Sequence, residues 1–397
     1  MQLFLAGDDS EVELRAELTS LFPLAEPRLV QPLIFELPDP LPGSELPHIA
    51  FARQWFPNAQ AAGAESIGGW VRHLFNAILP HIPDGQPWRL HVEPHYGARA
   101  VRRIGARAWH SSTLRRAAHP VSPGRHRSEH IVEAGAGRHR CRLIREGLIE
   151  LLGKRRRQLL RHWEEDPAPF APETSCVQAL LTAPTSGFIS VAVAPLPLSQ
   201  RHLLSPFPKG EVVVPADPDA PSRAFAKLVE AELRLGRSIQ PGEICVDLGA
   251  SPGSWTYVAA SRGARVVAVD RSPLRADVAA QHTVEFFPGD AFKFRPRAPV
   301  DWLLCDVIAP PEKTAILLLD WLSRRWTRHF VVTIKLKDQS GLIVLEDLKR
   351  DLAKLCSDFR LTHLCVNKKE VCAFGTADPR ASNAVMCETQ RPNRLLP

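Results

Sequence analysis

Residues 244–257 read Ile-Cys-Val-Asp-Leu-Gly-Ala-Ser-Pro-Gly-Ser-Trp-Thr-Tyr, and this stretch decides the fold. Ile244 to Leu248 is a short apolar run of strand length. Gly249 to Gly253 is a turn, and the residues from Ser254 onward suit a helix. A strand that ends in a glycine turn and opens a helix begins an open α/β sheet, where ligands bind at the carboxyl ends of the strands. The glycine spacing narrows the ligand. A dinucleotide turn needs G-x-G-x-x-G, but Ser251 holds the middle position and no third glycine is in register. A Walker loop needs a lysine after its last glycine, and Ser254 follows Gly253. Both phosphate-binding readings weaken. A ligand without phosphate, built from an amino acid and an adenosine part as S-adenosylmethionine is, needs glycine for close approach and acids for its ammonium and hydroxyls. Asp247 is placed to meet that ammonium.

Working outward, strand-like runs recur at Arg265 to Val269, Val284 to Phe287, Trp302 to Cys305, Phe330 to Ile334, Leu361 to Val366 and Val371 to Gly375. Counted from Ile244 to Leu248, the first five of the seven runs alternate with helical connections, and only Asn367 to Glu370 separates the last two. The pattern predicts a doubly wound parallel sheet ending in an antiparallel hairpin. That seven-stranded layout is the class I, Rossmann-like methyltransferase fold, which by itself does not fix function. Asp270 ends the second strand, where a carboxylate grips ribose hydroxyls in such folds. Asp290 follows the third strand and is placed to accept from an adenine amino group, and Asp306 ends the fourth. A single strand-end Asp is commonly a helix cap; three at one sheet edge weigh against that reading.

The first half of the chain reads differently. Residues 1–47 suggest a β-α-β unit: a strand Leu3 to Leu5, a helix with Ser10 and Glu13 at capping-box spacing and Leu14, Leu18 and Leu21 on one face, then a strand Leu29 to Leu37. A Pro-rich linker, Pro38 to Pro47, follows. Residues 48–200 suggest an α+β domain with a helix Ser66 to Leu79, a strand Trp88 to Val92, and strand-rich residues 176–198. Within it, residues 98–140 show no period and read as an insert. From Arg142 to Arg161, leucines and arginines alternate at helical spacing, which suits both a solvated helix packed by its leucines and a phosphate-contacting face. Residues 201–376 are the sheet domain, and 377–397 read as a loose tail.

Of 397 residues, 50 are Lys or Arg and 43 Asp or Glu, a net charge of +7. The excess is concentrated: Arg99 to Arg161 holds 16 Arg and one Lys against four Glu, a local +13 that leaves −6 for the remainder. A polyanionic partner, nucleic acid before membrane, is the expectation. The start Met-Gln-Leu-Phe-Leu-Ala-Gly-Asp-Asp lacks the basic residues of a secretory signal, and no apolar run approaches the ~20 residues of a membrane span. A soluble, cytoplasmic monomer is expected. The eight cysteines form no C-x-x-C pair, so neither a zinc ribbon nor another metal site is expected. Cys245, Cys305, Cys365 and Cys372 read as buried thiols.

Several segments together resemble a known family. Asp219 to Leu228, the turn Val246 to Tyr257, Cys305-Asp306, Ile334-Lys335-Leu336 and Glu370-Val371 are similar to the FtsJ-like (FtsJ/RrmJ) 2′-O-ribose RNA methyltransferases. Phe51-Ala52-Arg53-Gln54 and Ala291 to Pro296 resemble the M branch of that family, which acts on large-subunit ribosomal RNA. The resemblance is dense over residues 201–376 and nearly absent over 98–140. Its most specific part is the order Lys227, Asp306, Lys335, Glu370. It implies S-adenosylmethionine as cofactor, held by Ser222, Asp247, Gly249, Ser251, Pro252, Gly253, Ser254, Trp255, Asp270, Asp290 and Asp306. Ser251 and Ser254 depart from the Cys and Gly expected at those positions. The resemblance further implies RRM-like and THUMP-like units before the catalytic domain, 23S ribosomal RNA or its precursor as partner, and a cytidine of the peptidyl-transferase loop as target. Lys335 would be the proton acceptor, with Lys227, Asp306 and Glu370 around it. A lysine base must be depressed by desolvation and by a like charge such as Lys227. Trp109 and Phe170 are candidates to stack bases, although lone aromatics are commonly core. The alternative readings are a non-catalytic RNA-binding or ribosome-assembly protein that retains the fold, and an NAD-dependent oxidoreductase, which the Gly249 turn disfavours.

Overall fold

The computed structural model describes residues 1–38, 47–96, 136–336, 340–367 and 369–380. The chain divides into two compact units, 1–212 and 213–397. In the first, β1 (Gln2–Ala6), α1 (Glu11–Leu21), β2 (Arg28–Gln31), β3 (Ile34–Leu37) and β4 (Ala52–Phe56) build an antiparallel sheet in the order β2-β3-β1-β4. The run from Leu29 to Leu37 is therefore two strands. Pro32 has no N–H for a ladder, and Leu33 takes a φ of +67° to reverse the chain. Because β4 pairs with β1, a boundary after residue 47 would cut this sheet. Ser10 does not form the expected capping box; its Oγ accepts from Gly7 N at 3.0 Å instead.

A second sheet follows from β5 (Gln60–Gly63), α2 (Ile67–Ile78), β6 (Trp88–Pro94), α3 (Ala136–Arg155), α4 (Arg157–Arg161), β7 (Ser175–Ala183), β8 (Ser186–Ala192) and α5 (Leu198–Leu203), with strand order β5-β8-β7-β6. Helix α3 buries Cys141, Ile144, Leu148 and Leu152, at spacings of three and four, in a core with Trp70, Leu74 and Trp88. It starts at Ala136, so the end of the expected insert is helical; residues 97–135, with Trp109, lie outside the described residues. Phe170 is buried with the Arg89 guanidinium 4.6 Å from its ring centre, so it is core and not a platform for a base. Gln54 of β4 donates to Gln178 of β7 at 2.7 Å, and Gln178 donates to Trp55 O at 2.9 Å, tying the two sheets.

The second unit contains α6 (Phe225–Leu235), β9 (Ile244–Leu248), α7 (Ser254–Ser261), β10 (Arg265–Asp270), α8 (Ala276–Ala279), β11 (Val284–Pro288), β12 (Val300–Cys305), α9 (Pro311–Ser323), β13 (Thr327–Lys335), α10 (Ser340–Leu355), β14 (Cys356–Thr362) and β15 (Glu370–Ala377). Its seven strands run β11-β10-β9-β12-β13-β15-β14. The pairings from β11 to β13 are parallel; β15 is antiparallel to both neighbours. Successive strands step outward from β9 to β10 and β11 on one side, and to β12 and β13 on the other. The switch point therefore lies between β9 and β12, at whose carboxyl ends a crevice for ligands forms. Strand β14 lies earlier than the expected Leu361 to Val366. As the edge strand it alternates buried and part-exposed residues, including Ser357 and Asp358, and so carries no continuous apolar run. Cys245, Cys305 and Cys372 are buried free thiols, while Cys365 is half-buried. Among the described residues, no helix is long and apolar enough to cross a membrane.

Candidate active site

The turn after β9 is shaped by its glycines. Gly249 takes a φ of +77°, and a Cβ there would lie 3.0 Å from Val307 Cα in the segment leaving β12. Only glycine lets the two switch-point loops approach this closely. Gly253 takes a φ of +109°, and a Cβ on it would lie 3.1 Å from Val278 Cγ1. Ser251 N donates to Asp270 Oδ2 at 3.0 Å, and Ser251 Oγ donates to Pro273 O at 2.9 Å. Serine at this position therefore clamps the turn to the exit of β10.

Several residues expected to touch a cofactor are spent on one another. Asp247 is 1% exposed, and its Oδ2 accepts from Thr256 Oγ1 at 2.7 Å. Burial pushes its carboxyl up to about 7, against the pull of Thr256. Asp247 thus ties β9 to α7 and presents no open face to an ammonium, contrary to the expectation; Thr256, its partner, has no signal in the sequence beyond a hydroxyl on the inward face of a helix. Trp255 is also buried, and its Nε1 donates to Ala224 O at 2.8 Å, which anchors the start of α6. Ser222 Oγ and Ser254 Oγ lie 2.8 Å apart. Pro252 remains exposed beside the buried Gly253.

The acids at the strand ends lie along one edge, because β9 to β12 are parallel. Asp270 accepts one backbone N–H on each oxygen, from Ser251 and from Ser272 at 2.8 Å, and its carboxylate keeps capacity for further donors. Asp290 accepts from Phe292 N at 2.9 Å, its largest stabilising contact, and pairs with Arg271 at 2.5 Å; both hold its carboxyl below the usual range.

The order Lys, Asp, Lys, Glu closes into a ring. Helix α6 carries Lys227 near its anchored start. Lys227 Nζ lies 3.0 Å from Asp306 Oδ2 and 2.6 Å from Glu370 Oε1. Lys335 Nζ lies 2.7 Å from Asp306 Oδ1 and also contacts Glu370 Oε2. Lys335 and Glu370 are direct partners across β13 and β15, so their side chains share one face of the sheet. Thr333, two residues before Lys335 on that same face, donates its Oγ1 proton to Asp306 Oδ1 at 2.6 Å. Sequence reasoning missed Thr333; its one signal is the spacing of two from Lys335 in a strand. Two cations and two carboxylates leave the ring neutral.

The direction of the lysine shift differs from expectation. Burial would lower the Lys335 ammonium, but Asp306 and Glu370 together outweigh burial and raise it. Lys335 is therefore held protonated at rest. Burial would likewise raise Asp306, yet Lys227, Lys335 and the hydrogen bond from Thr333 hold its carboxyl below the ordinary value.

Residues 220–386 match the family model of FtsJ-like methyltransferases. A Ribosomal RNA large subunit methyltransferase M of Thauera aminoaromatica is 35% identical over 200 residues, covering 48% of this chain and 55% of that protein. The protein of the same name from Halorhodospira halophila is 46% identical over 121 residues, covering 30% and 36%. The chain thus spans about half the length, or less, of these curated relatives. Among solved structures, a fibrillarin pre-rRNA processing protein of Methanococcus jannaschii aligns with a TM-score of 0.30 and 21% identity over 38% of this chain and 74% of that one. The fold assignment rests on the strand order instead. Residues 220–386, which hold the glycine turn and all four members of the ring, are thus the part of the chain that is similar to the FtsJ-like methyltransferases.

Proposed function

We propose that this protein transfers a methyl group from S-adenosylmethionine to a ribose 2′-hydroxyl of large-subunit ribosomal RNA, at a cytidine of the 23S peptidyl-transferase loop. The carrying observation is the closed ring of Lys227, Asp306, Lys335 and Glu370, on the sheet whose switch point bears the Gly249 turn. The relatives named for ribosomal RNA methylation support the substrate class. Among the described residues, Arg155, Arg157 and Arg161 are exposed without a carboxylate partner, which suits an RNA backbone.

The cofactor fits the residues present. Gly249 and Gly253 keep the turn free of side chains, and Asp270 retains acceptor capacity for ribose hydroxyls. Asp290 would accept from the adenine amino group. When bound, S-adenosylmethionine supplies an electrophilic methyl on a sulfonium. The chain's own residues must then orient a weak nucleophile and take its proton. Asp306 and Glu370 orient both lysines. A hydroxyl donating into the ring competes for a carboxylate oxygen that Lys335 uses, and each lost contact leaves burial to push Lys335 toward the neutral amine. Lys335 is then the proton acceptor.

The test is incubation of the protein with methyl-labelled S-adenosylmethionine and an unmodified 23S rRNA transcript, or precursor particles, with the product mapped. A single labelled ribose is expected. Label on a base overturns the ribose assignment, and RNA binding without any transfer favours an assembly protein.

A further inference from the structure

Thr333 is fully buried in β13, a place where a β-branched residue is ordinary and valine would pack equally well. Its hydroxyl is what sets it apart. Oγ1 lies 2.6 Å from Asp306 Oδ1 and 3.5 Å from the carbonyl of Cys305, so the short contact to the carboxylate takes the proton. That same Oδ1 receives Lys335 Nζ at 2.7 Å, whereas Lys227 sits closer to Oδ2, at 3.0 Å, than to Oδ1, at 3.3 Å. Oδ1 is thus shared between a hydroxyl and the lysines, whereas the contacts of Lys227 with Oδ2 and Glu370 Oε1, and of Lys335 with Glu370 Oε2, have no hydroxyl competitor among the described residues.

We propose that Thr333 is a positioning residue for the transfer: its hydroxyl proton fixes Asp306 Oδ1 and dilutes the hold of that oxygen on Lys335. The inference rests on the reading of Lys335 as proton acceptor. A hydroxyl dipole aimed at Oδ1 adds local positive potential, which favours the ionised carboxylate and disfavours the ammonium beside it. Removing the dipole moves both groups the same way. Asp306 gives up its proton less readily, and Lys335 clings to its own.

Thr333→Val keeps the shape and deletes the hydroxyl; Thr333→Ser keeps the hydroxyl. Three readouts apply: the carboxyl ¹³C titration of Asp306 in the protein alone, the pH profile of kcat on 23S rRNA transcript, and the melting temperature. In Thr333→Val the Asp306 midpoint rises and the rising limb of kcat moves to higher pH by up to about one unit. At a pH below the limb this lowers kcat by about threefold to tenfold, since one unit is a factor of ten. Above the limb the rates converge. Thr333→Ser restores both positions. An Asp306 midpoint that stays in place overturns the proposal, as does a moved midpoint with an unmoved limb. A fall in kcat that is equal at every pH and tracks the melting temperature also overturns it, since that marks a purely structural role. The Asp306 titration needs neither RNA nor cofactor. A shifted midpoint in a protein that transfers no methyl group would therefore refute the proposed reaction, and with it the role of Thr333 in transfer, while an unshifted midpoint in an active enzyme refutes Thr333 alone.

Discussion

Replacing Lys335 tests the proposed chemistry directly. In Lys335→Ala, Asp306 keeps Lys227 at 3.0 Å and the Thr333 hydroxyl at 2.6 Å, and Glu370 keeps Lys227 at 2.6 Å. Neither carboxylate is orphaned. The structural cost should therefore fall below the ~3–5 kcal/mol of an abandoned buried charge, on the order of 1–2 kcal/mol for a side chain that is 22% exposed. For a unit of this size that is a drop of several degrees in melting temperature. The catalytic cost is larger: losing a positioned proton acceptor removes about 10²–10⁴ in rate, or about 3–5 kcal/mol of barrier. Single-turnover methyl transfer gives the rate, calorimetry gives S-adenosylmethionine affinity, and a melt gives the fold. The expected result is a rate loss in that range with cofactor affinity within a few-fold of wild type. Lys335→Arg sharpens the test, because arginine keeps the positive charge toward Asp306 and Glu370 but does not deprotonate. It should be as inactive as alanine. Turnover within tenfold of wild type in Lys335→Ala refutes the assignment, and an active Lys335→Arg refutes proton acceptance while sparing an electrostatic role.

Asp247→Asn should change the pH dependence of stability. The native carboxyl, pushed up to about 7 from 3.8 by burial, holds a proton over a window in which the unfolded chain has released it. Wild-type stability therefore falls as pH rises from about 4 to 7, by up to about 4 kcal/mol in total, while the asparagine variant escapes that fall. Urea melts from pH 5 to 8 should show a variant advantage that grows with pH, and a constant offset would contradict this. Gly249→Ala forces a side chain onto a φ of +77° and against Val307, costing about 1–2 kcal/mol for the backbone alone. Calorimetry should show weaker S-adenosylmethionine binding and a lower melting temperature; unchanged values would remove the glycine from the argument. Neutralising Arg155, Arg157 and Arg161 to Gln should flatten the salt dependence of RNA affinity by a slope of about 2 to 3, without altering cofactor affinity. An unchanged slope would return α4 to an ordinary solvated surface.

The parallel strands were legible because burial on both faces writes them as unbroken apolar runs: Ile244–Leu248 is predicted and found with the same ends. The edge strand β14 was displaced because one open side lets Ser357 and Asp358 into it. Of the site, the identities and order of Lys227, Asp306, Lys335 and Glu370 could be read, since each stands at an element end. What closes them into a ring could not. The pairing of Lys335 with Glu370 is a matter of register between β13 and β15, and Lys227 arrives on a helix whose start is pinned by Trp255. Asp247 was misplaced for a related reason. A strand-end acid and an acid one residue short of the end look alike in sequence, and only the packing of α7 over β9 decides which is buried. The sign of the Lys335 shift was beyond sequence altogether. It is a balance between burial and two contacts, and contact distances carry the larger part.

That balance also bears on which lysine exchanges the proton. A ring of two ammonium groups and two carboxylates is nearly symmetric by composition, and either lysine could serve. The structure breaks the symmetry twice. Lys335 is 22% exposed and Lys227 12%, so an incoming hydroxyl meets Lys335 more readily. Thr333 competes for the oxygen on which Lys335 makes its 2.7 Å contact with Asp306, while Lys227 reaches that oxygen only at 3.3 Å and makes its shorter contacts, with Asp306 Oδ2 and Glu370 Oε1, without such a competitor among the described residues. Exposure and the contested contact together favour Lys335 as the lysine that exchanges the proton. Lys227 then keeps its contacts with both Asp306 and Glu370 while Lys335 changes state.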